Sequence, residues 1–296
     1  MNWIAVDWGT TNFRAFLMTS EGDCLDRISA EKGLLSITPE EYPDVFEQLT
    51  CHWTEEYGPL PVLMAGMVGS QQGWREVPYV SVPVDAKSLA KDIELVDLKN
   101  GGTAGIVCGV TCVNKFGIAD VMRGEEVQLV GLQDKLKSDF FAVLYGTHSK
   151  HAHCVNGKLS RFSTVMTGEL YSLLIGHSIL GRALSEQLFD KEAFLTGVTT
   201  GYQHPLNHIL FSARTSRLFR TIDETHVESY LSGLLIGHEF SQTESGEKAY
   251  LIGSKRLATH YSLALTHLDL EHEIIDGEEC FLAGMTHIFL HGGVNE

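Results

Sequence analysis

The segment Asp7-Trp8-Gly9-Thr10-Thr11-Asn12-Phe13-Arg14 closes the short apolar run Trp3-Ile4-Ala5-Val6 with an acid, a glycine, two hydroxyls and an arginine. A turn of this composition brings backbone N–H groups and hydroxyls to one point, where they can surround phosphate oxygens. Asp7 adds a hard oxygen ligand of the kind magnesium takes. Gly9 permits the tight turn, Thr10 and Thr11 donate hydroxyls, and Arg14 returns on the next strand as a fixed cation. About half a chain later Phe140-Phe141-Ala142-Val143-Leu144-Tyr145 runs into Gly146-Thr147-His148-Ser149-Lys150, which repeats the device with two basic residues. Two such turns read as a clamp on a nucleoside triphosphate, which points to a kinase or an ATPase.

Phosphoryl transfer to a hydroxyl also needs a carboxylate that accepts the hydroxyl proton. Met122-Arg123-Gly124-Glu125-Glu126 supplies two candidates, with Arg123 able to pair with an anionic substrate. The plain alternative is a helix start whose carboxylates only offset the dipole. In the loop Gly66 to Trp74, the side chains of Ser70, Gln71, Gln72 and Trp74 suit a sugar-like ligand, with hydrogen bonds and a flat apolar wall. Gly253-Ser254, after an apolar strand, would let a ribose and adenine approach a helix start. His148, His151 and His153 have no accompanying acid or cysteine cluster, so they read as hairpin surface or supporting groups rather than metal ligands. The chain has neither a G-x-x-x-x-G-K-[ST] phosphate loop nor a G-x-S-x-G nucleophile elbow.

A net charge of −16 over 296 residues repels nucleic-acid backbones and anionic membranes, so neither is an expected partner. A triphosphate site in so acidic a chain must carry its own basic groups and a metal. The start Met1-Asn2-Trp3 lacks the basic segment of a secretory signal, and no apolar run approaches membrane-spanning length. Six scattered cysteines without a disulfide-like framework fit a reducing cytoplasm. Cys108 and Cys112 read as small buried apolar residues.

The elements that must position these groups repeat a plan. Residues 3–7, 13–19 and 24–31 read as strands, followed by a helix over 40–57, a strand over 61–65, another over 79–83 and a helix over 124–136. The second half gives strands over 139–145, 150–155 and 158–163, the last two joined by the hairpin signal Asn156-Gly157. Helices follow over 167–180 and 223–241, then a strand over 249–253 and a helix to about residue 267 that Ser254 caps. The chain ends with a strand over 272–275, a turn at Asp276-Gly277 and a helix over 278–290. The expected class is α/β with mixed sheets in duplicated domains, 1–137 for acceptor and phosphate and 138–296 for nucleotide.

The order Asp7-x-Gly9-Thr10-Thr11-x-x-Arg14, Gly124-Glu125, Tyr145-Gly146-Thr147 and Gly253-Ser254 resembles the sugar kinase/Hsp70/actin superfamily. The strings MAGMVGSQQGW (64–74), PYVSVP (78–83), VMRGEEVQLVG (121–131), GTHSK (146–150), FSTVMTGEL (162–170) and YLSGLLIG (230–237) are similar to those of the 2-dehydro-3-deoxygalactonokinases, over nearly the whole chain. The resemblance implies two ribonuclease H-like domains flanking a nucleotide cleft, with ATP and magnesium as cofactors. The implied reaction phosphorylates 2-dehydro-3-deoxy-D-galactonate at its 6-hydroxyl in galactonate catabolism. A kinase for a related acid such as 2-dehydro-3-deoxygluconate, or a non-catalytic sugar-binding relative, are the alternatives.

Related carbohydrate kinases carry Gly-Asp at the start of the matching helix, so by analogy Glu125 falls on the catalytic carboxylate; Glu126 and the nearby Asp120 stay open. The resemblance further implies that Asp7 orients magnesium and that Gly9, Thr10 and Thr11 hold the γ-phosphoryl group. Gly146 and Thr147 would hold the β- and γ-phosphates, with His148 or Lys150 supplying charge, and Gly253 and Ser254 would border adenosine. Arg14 or Arg123 would balance negative charge, and Gly33, Ser70, Gln71, Trp74 and Glu126 would lie near the acceptor. The assembly state is open, a homodimer included.

Overall fold

Trp3, Ile4, Ala5, Val6 and Trp8 are all buried. Strand β1 (Asn2–Trp8) therefore reads as a nearly continuous apolar run, as expected for a strand covered on both faces. The computed structural model describes every residue except 242, 244, 245 and 293–296. Strand β1 pairs antiparallel with β2 (Phe13–Thr19), which pairs antiparallel with β3 (Cys24–Ala30). After helix α1 (Tyr42–Tyr57), β4 (Val62–Gly66) returns parallel to β1. Strand β5 (Tyr79–Ser81), helix α2 (Ala86–Lys91) and strands β6 (Glu94–Asp97), β7 (Thr103–Ile106), β8 (Gly109–Val113) and β9 (Ala119–Met122) lead to α3 (Glu125–Leu136). One sheet has the order β3-β2-β1-β4-β7-β6, and β5-β8-β9 form a small separate sheet.

The second half begins with β10 (Phe140–Leu144), β11 (Ser149–Val155) and β12 (Lys158–Val165), followed by α4 (Thr167–His177), α5 (Lys191–Gln203), α6 (Leu206–Ile209), α7 (Ser212–Leu218) and α8 (Val227–Phe240). Strand β13 (Ala249–Gly253), α9 (Lys255–His267), β14 (His272–Asp276) and α10 (Gly277–His291) complete it. Its sheet order is β12-β11-β10-β13-β14, with β10, β13 and β14 parallel. Both large sheets therefore place the fourth strand of the series beside the first. The architecture is mixed-sheet α/β. No described helix is long and apolar enough to cross a membrane.

The chain forms two compact units: Met1–Asp139 with His153–Phe162 and the segment from Gly277, and Phe140–Ala152 with Ser163–Asp276. In the first, α10 lies against α3 so closely that a Cβ on Gly131 would overlap the carbonyl of Cys280, and one on Gly284 the carbonyl of Val127. Trp3 stacks on Phe289 of the same helix with ring centroids 4.1 Å apart. The second unit uses the same device: Gly197 and Gly201 of α5 face Gly233 and Gly237 of α8, and a Cβ at any of the four would strike the opposite backbone.

Several local expectations need correction. The strand expected over 79–83 ends at Ser81, and helix α2 and strands β6 to β9 had no counterpart in the sequence reading. Asp276-Gly277 is no turn: β14 runs directly into α10. Ser254 sits at the cap position of α9, but its side chain makes no capping hydrogen bond. His151 is not hairpin surface but buried, bonded to Glu239. The Asn156-Gly157 turn has φ of 52° and 76°, the left-handed pair that a tight hairpin requires.

Candidate active site

The residues expected to carry chemistry fall into two groups, one in each unit. In the first, the end of β1 delivers Asp7, whose register partner on β2 is Arg14. Arg14 Nη2 donates to Asp7 Oδ2. Burial raises the Asp7 carboxyl above its ordinary range even though the Arg14 guanidinium pulls it down. The turn after β1 is set by backbone bonds: Gly9 N–H to Asn12 O (2.9 Å), Gly33 N–H to Thr11 O (3.0 Å) and Leu35 N–H to Thr10 O (3.0 Å). Gly33 is pressed so closely on Thr10 and Thr11 that a Cβ there would overlap their carbonyl carbons. Its smallness is thus a property of the turn itself. Thr10 and Thr11 are exposed.

Strand β4 ends beside Asp7 at Gly66, and a Cβ on Gly124 would lie 3.2 Å from the Gly66 Cα. This contact sets the start of α3 against the end of β1. Glu125 is half-buried and its Oε2 accepts from Arg123 N–H at 3.2 Å. Glu126 is wholly buried; its two oxygens accept from Gly124 N–H at 2.9 and 2.7 Å. Burial and the adjacent Glu125 charge push the Glu126 carboxyl up to about 8. A carboxyl so enclosed is spent on the helix start, so the expectation that it meets the acceptor is not what this placement favours. Asp120 lies on β9, where its carboxylate accepts from Val121 N–H at 2.9 Å.

Arg123 carries the most distinctive environment. Its guanidinium lies over the Tyr79 ring, 4.4 Å from the centroid, and Nη2 donates to Val77 O at 2.6 Å. Nε and Nη1 are buried without a hydrogen-bond partner. A Cβ on Gly69 would lie 2.8 Å from Nη1, and the hydroxyl of the next residue, Ser70, is likewise buried and unpartnered. Buried donors in this state are uncommon in folded proteins and call for a specific cause. Trp74 is half-buried against Trp8 and Tyr42, with centroids 6.4 and 6.2 Å away, and Gln71 is exposed.

In the second unit Gly146 and Thr147 follow β10 and line a cavity of about 430 Å³. The start of α4 rests on this turn: Glu169 N–H donates to Thr147 O at 3.0 Å, and a Cβ on Gly168 would overlap the Gly146 carbonyl oxygen. His148 is exposed beside the turn and paired with Glu169. Lys150, expected to offer charge to phosphate, is buried instead and donates to Thr164 Oγ1 at 2.8 Å. Gly253 and Ser254 do not line the cavity. A Cβ on Gly253 would lie 2.6 Å from the Tyr145 ring, and Ser254 O accepts from Tyr145 Oη at 3.3 Å.

The cavity is also lined by residues that the motifs did not single out, among them Phe189, Arg256 and His260. Phe189 stacks on His260 with centroids 4.8 Å apart and planes 12° from parallel. The one available signal was position: Arg256 and His260 share a face at i, i+4 on the helix that Ser254 opens.

Comparison with known proteins identifies the family of the chain. The family model described as 2-keto-3-deoxy-galactonokinase matches residues 7–288. The 2-dehydro-3-deoxygalactonokinase of Escherichia coli K12 is 35% identical over 292 residues, 97% of each chain. A crystal structure from Sinorhizobium meliloti, provisionally named a 2-dehydro-3-deoxygalactonokinase, superposes with a TM-score of 0.88 at 29% identity over 97% of each chain. At 11% identity the activator of 2-hydroxyisocaproyl-CoA dehydratase from Clostridium difficile shares only the fold, with a TM-score of 0.51 over all of this chain and 96% of that one. Match length and identity together carry the conclusion that this chain belongs to the 2-keto-3-deoxy-galactonokinase family.

Proposed function

We propose that the protein transfers the γ-phosphoryl group of ATP to the 6-hydroxyl of 2-dehydro-3-deoxy-D-galactonate, a step of galactonate catabolism. The observation that carries this reading is Arg123. A guanidinium held over an aromatic ring, with Nε and Nη1 buried and without a protein partner, suits an anionic acceptor such as a carboxylate, to which it can donate charge-assisted hydrogen bonds. Every 2-keto-3-deoxy sugar acid has such a carboxylate. Ser70, Gln71 and Trp74 supply hydroxyl, amide and apolar contacts for the rest of the acceptor, with Gly33 supporting the neighbouring turn.

Glu125 accepts the proton of the attacking hydroxyl, and Glu126 fixes the helix start that carries it. Glu125 reaches one methylene further than an aspartate, and its half-exposed side chain leaves it accessible to substrate. Gly9, Thr10 and Thr11 hold the γ-phosphoryl oxygens. Gly146, Thr147 and the exposed His148 hold the β- and γ-phosphates, and the cavity lined by Phe189, Arg256 and His260 takes the nucleoside. The two units are read as ribonuclease H-like domains, the first for acceptor and phosphoryl group, the second for nucleotide; the shared strand orders support this.

Among the described residues no three His, Cys, Asp or Glu side chains gather as a resident metal would need. That fits magnesium brought on a triphosphate, which keeps waters and phosphate oxygens and takes one carboxylate from the protein. Asp7 is the residue that would hold it, and there it would offset charge on the phosphate oxygens. Six free cysteines, four of them buried, suit a reducing compartment, and the reading assigns the protein to the cytoplasm.

A phosphorylation screen with ATP across 2-keto-3-deoxy sugar acids and their aldonate parents tests the proposal. Turnover confined to the 2-keto-3-deoxy acids, highest with the galactonate derivative, is the expected result. ATP consumption indifferent to the sugar acid would overturn it.

A further inference from the structure

Beneath the Gly146-Thr147 turn lies a buried carboxylate that the phosphotransfer chemistry does not use. Glu239, on α8, is 3% exposed and accepts hydrogen bonds from Ser149 Oγ (2.6 Å), His151 Nε2 (2.8 Å), Thr167 Oγ1 (2.6 Å) and Tyr261 Oη (2.7 Å). Burial alone would raise its pKa, but the His151 contact and the hydroxyl donors hold it below the ordinary range. An ionised carboxylate so enclosed is tolerated because every lone-pair direction is met.

The partners are what give the arrangement meaning. Ser149 follows Thr147 by two residues, on the strand that leaves the turn. Thr167 and Gly168 open the helix whose backbone rests on Gly146 and Thr147. Tyr261 stacks on Tyr145, the residue before Gly146, with centroids 4.7 Å apart. Thr167 and Tyr261 also line the 430 Å³ cavity. One carboxylate thus ties together the strand after the turn, the helix start against it and the ring that backs it.

We propose that Glu239 is a positioning residue for nucleotide binding, fixing the Gly146-Thr147 turn and the cavity wall through these four hydroxyl and imidazole contacts. The inference rests on the reading of that cavity as the nucleotide site. The test is isothermal titration with ADP, together with separate KM values for ATP and the sugar acid, on Glu239→Gln, Tyr261→Phe and, as a stability control, Ile209→Val from a core cluster of the same unit, at a position that does not line the cavity.

In Glu239→Gln the amide group sets a donor against hydroxyl donors, and a loss of roughly tenfold or more in ADP affinity is expected. Tyr261→Phe keeps the ring stack and removes one bond, for a loss of about three- to tenfold. In both variants the sugar-acid KM stays within about twofold of wild type, and Ile209→Val lowers the melting temperature without moving ADP affinity. If Glu239→Gln does not fold, Tyr261→Phe decides. Unchanged ADP affinity, or parallel rises of both KM values, overturns the assignment of Glu239. A wild-type protein that does not bind ADP overturns the nucleotide site itself, and this inference with it.

Discussion

Asp7 and Arg14 face each other across the first hairpin, as register partners and as an ion pair. Asp7 is the less exposed of the two side chains (18% against 43%), and burial works to protonate it while Arg14 works to ionise it. Arg14, on the adjacent strand, thus opposes the burial that favours the neutral form of this carboxyl. Arg14→Gln removes that support. The acid limb of the kcat/KM profile is expected to move to higher pH, since loss of a nearby cation raises a carboxyl pKa. An unmoved limb would separate Arg14 from Asp7 ionisation.

Glu125→Gln removes the proposed proton acceptor while keeping its shape. Steady-state kinetics should give a kcat lower by about 10²–10⁴-fold, the usual contribution of a positioned base, with KM values little changed. Near-normal turnover would remove Glu125 from the mechanism.

Arg123→Ala deletes the guanidinium whose Nε and Nη1 await a partner. Loss of a charge-assisted bond of about 1.5–3 kcal/mol predicts a sugar-acid KM higher by roughly ten- to a hundredfold. The ATP KM should stay within about twofold on the same argument. Equal losses for both substrates would contradict the acceptor assignment.

Glu126 gives a stability prediction with a definite sign. Its folded carboxyl titrates at about 8, against 4.5 for the ordinary group, so the native state holds a proton that the unfolded chain releases. Stability from this group is full below the unfolded value and declines as pH rises toward 8. Glu126→Gln, neutral at every pH, should lessen the fall in melting temperature between pH 5 and pH 8, an effect on the order of a few kcal/mol. Identical pH slopes for the two proteins would place the proton elsewhere.

Gly201→Val tests the helix crossing in the second unit, because its Cβ would enter the Leu234 carbonyl. A cost of about 2–4 kcal/mol is expected, read as a lower denaturant midpoint. An unchanged midpoint would mean that α5 and α8 separate at no cost.

What the residues disclosed follows from how local the causes are. Strands β1 to β3, the Asn156-Gly157 hairpin and helix α3 are written in short patterns, and the structure contains them within a residue or two of their expected ends. Residues 86–122 were not legible. Strands β6 to β9 are four or five residues long, and Val113, Phe116, Ile118 and Val121 are apolar yet exposed, so no alternation marks a buried face. Within the site, Arg123 and Glu125 stand in one recognisable string. The burial of His151 is another matter, since its partner Glu239 is 88 residues away. Arg256 and His260 sit in an ordinary amphipathic helix, and only the fold turns them toward the turn at Gly146. Helix α10 joins the first unit through glycines whose partners lie some 150 positions earlier, a pairing that no local pattern records.

Helix α8 has two working sides. Ser229, Ser232, Leu235 and Ile236 look into the cavity, while Gly233 and Gly237 press backbone to backbone on α5. A single added methyl on the rear side has nowhere to go except by shifting the whole rod, and the cavity would change dimensions with it. The dimensions of this cavity are thus bound to the surface of a helix, α5, that contributes no lining residue of its own.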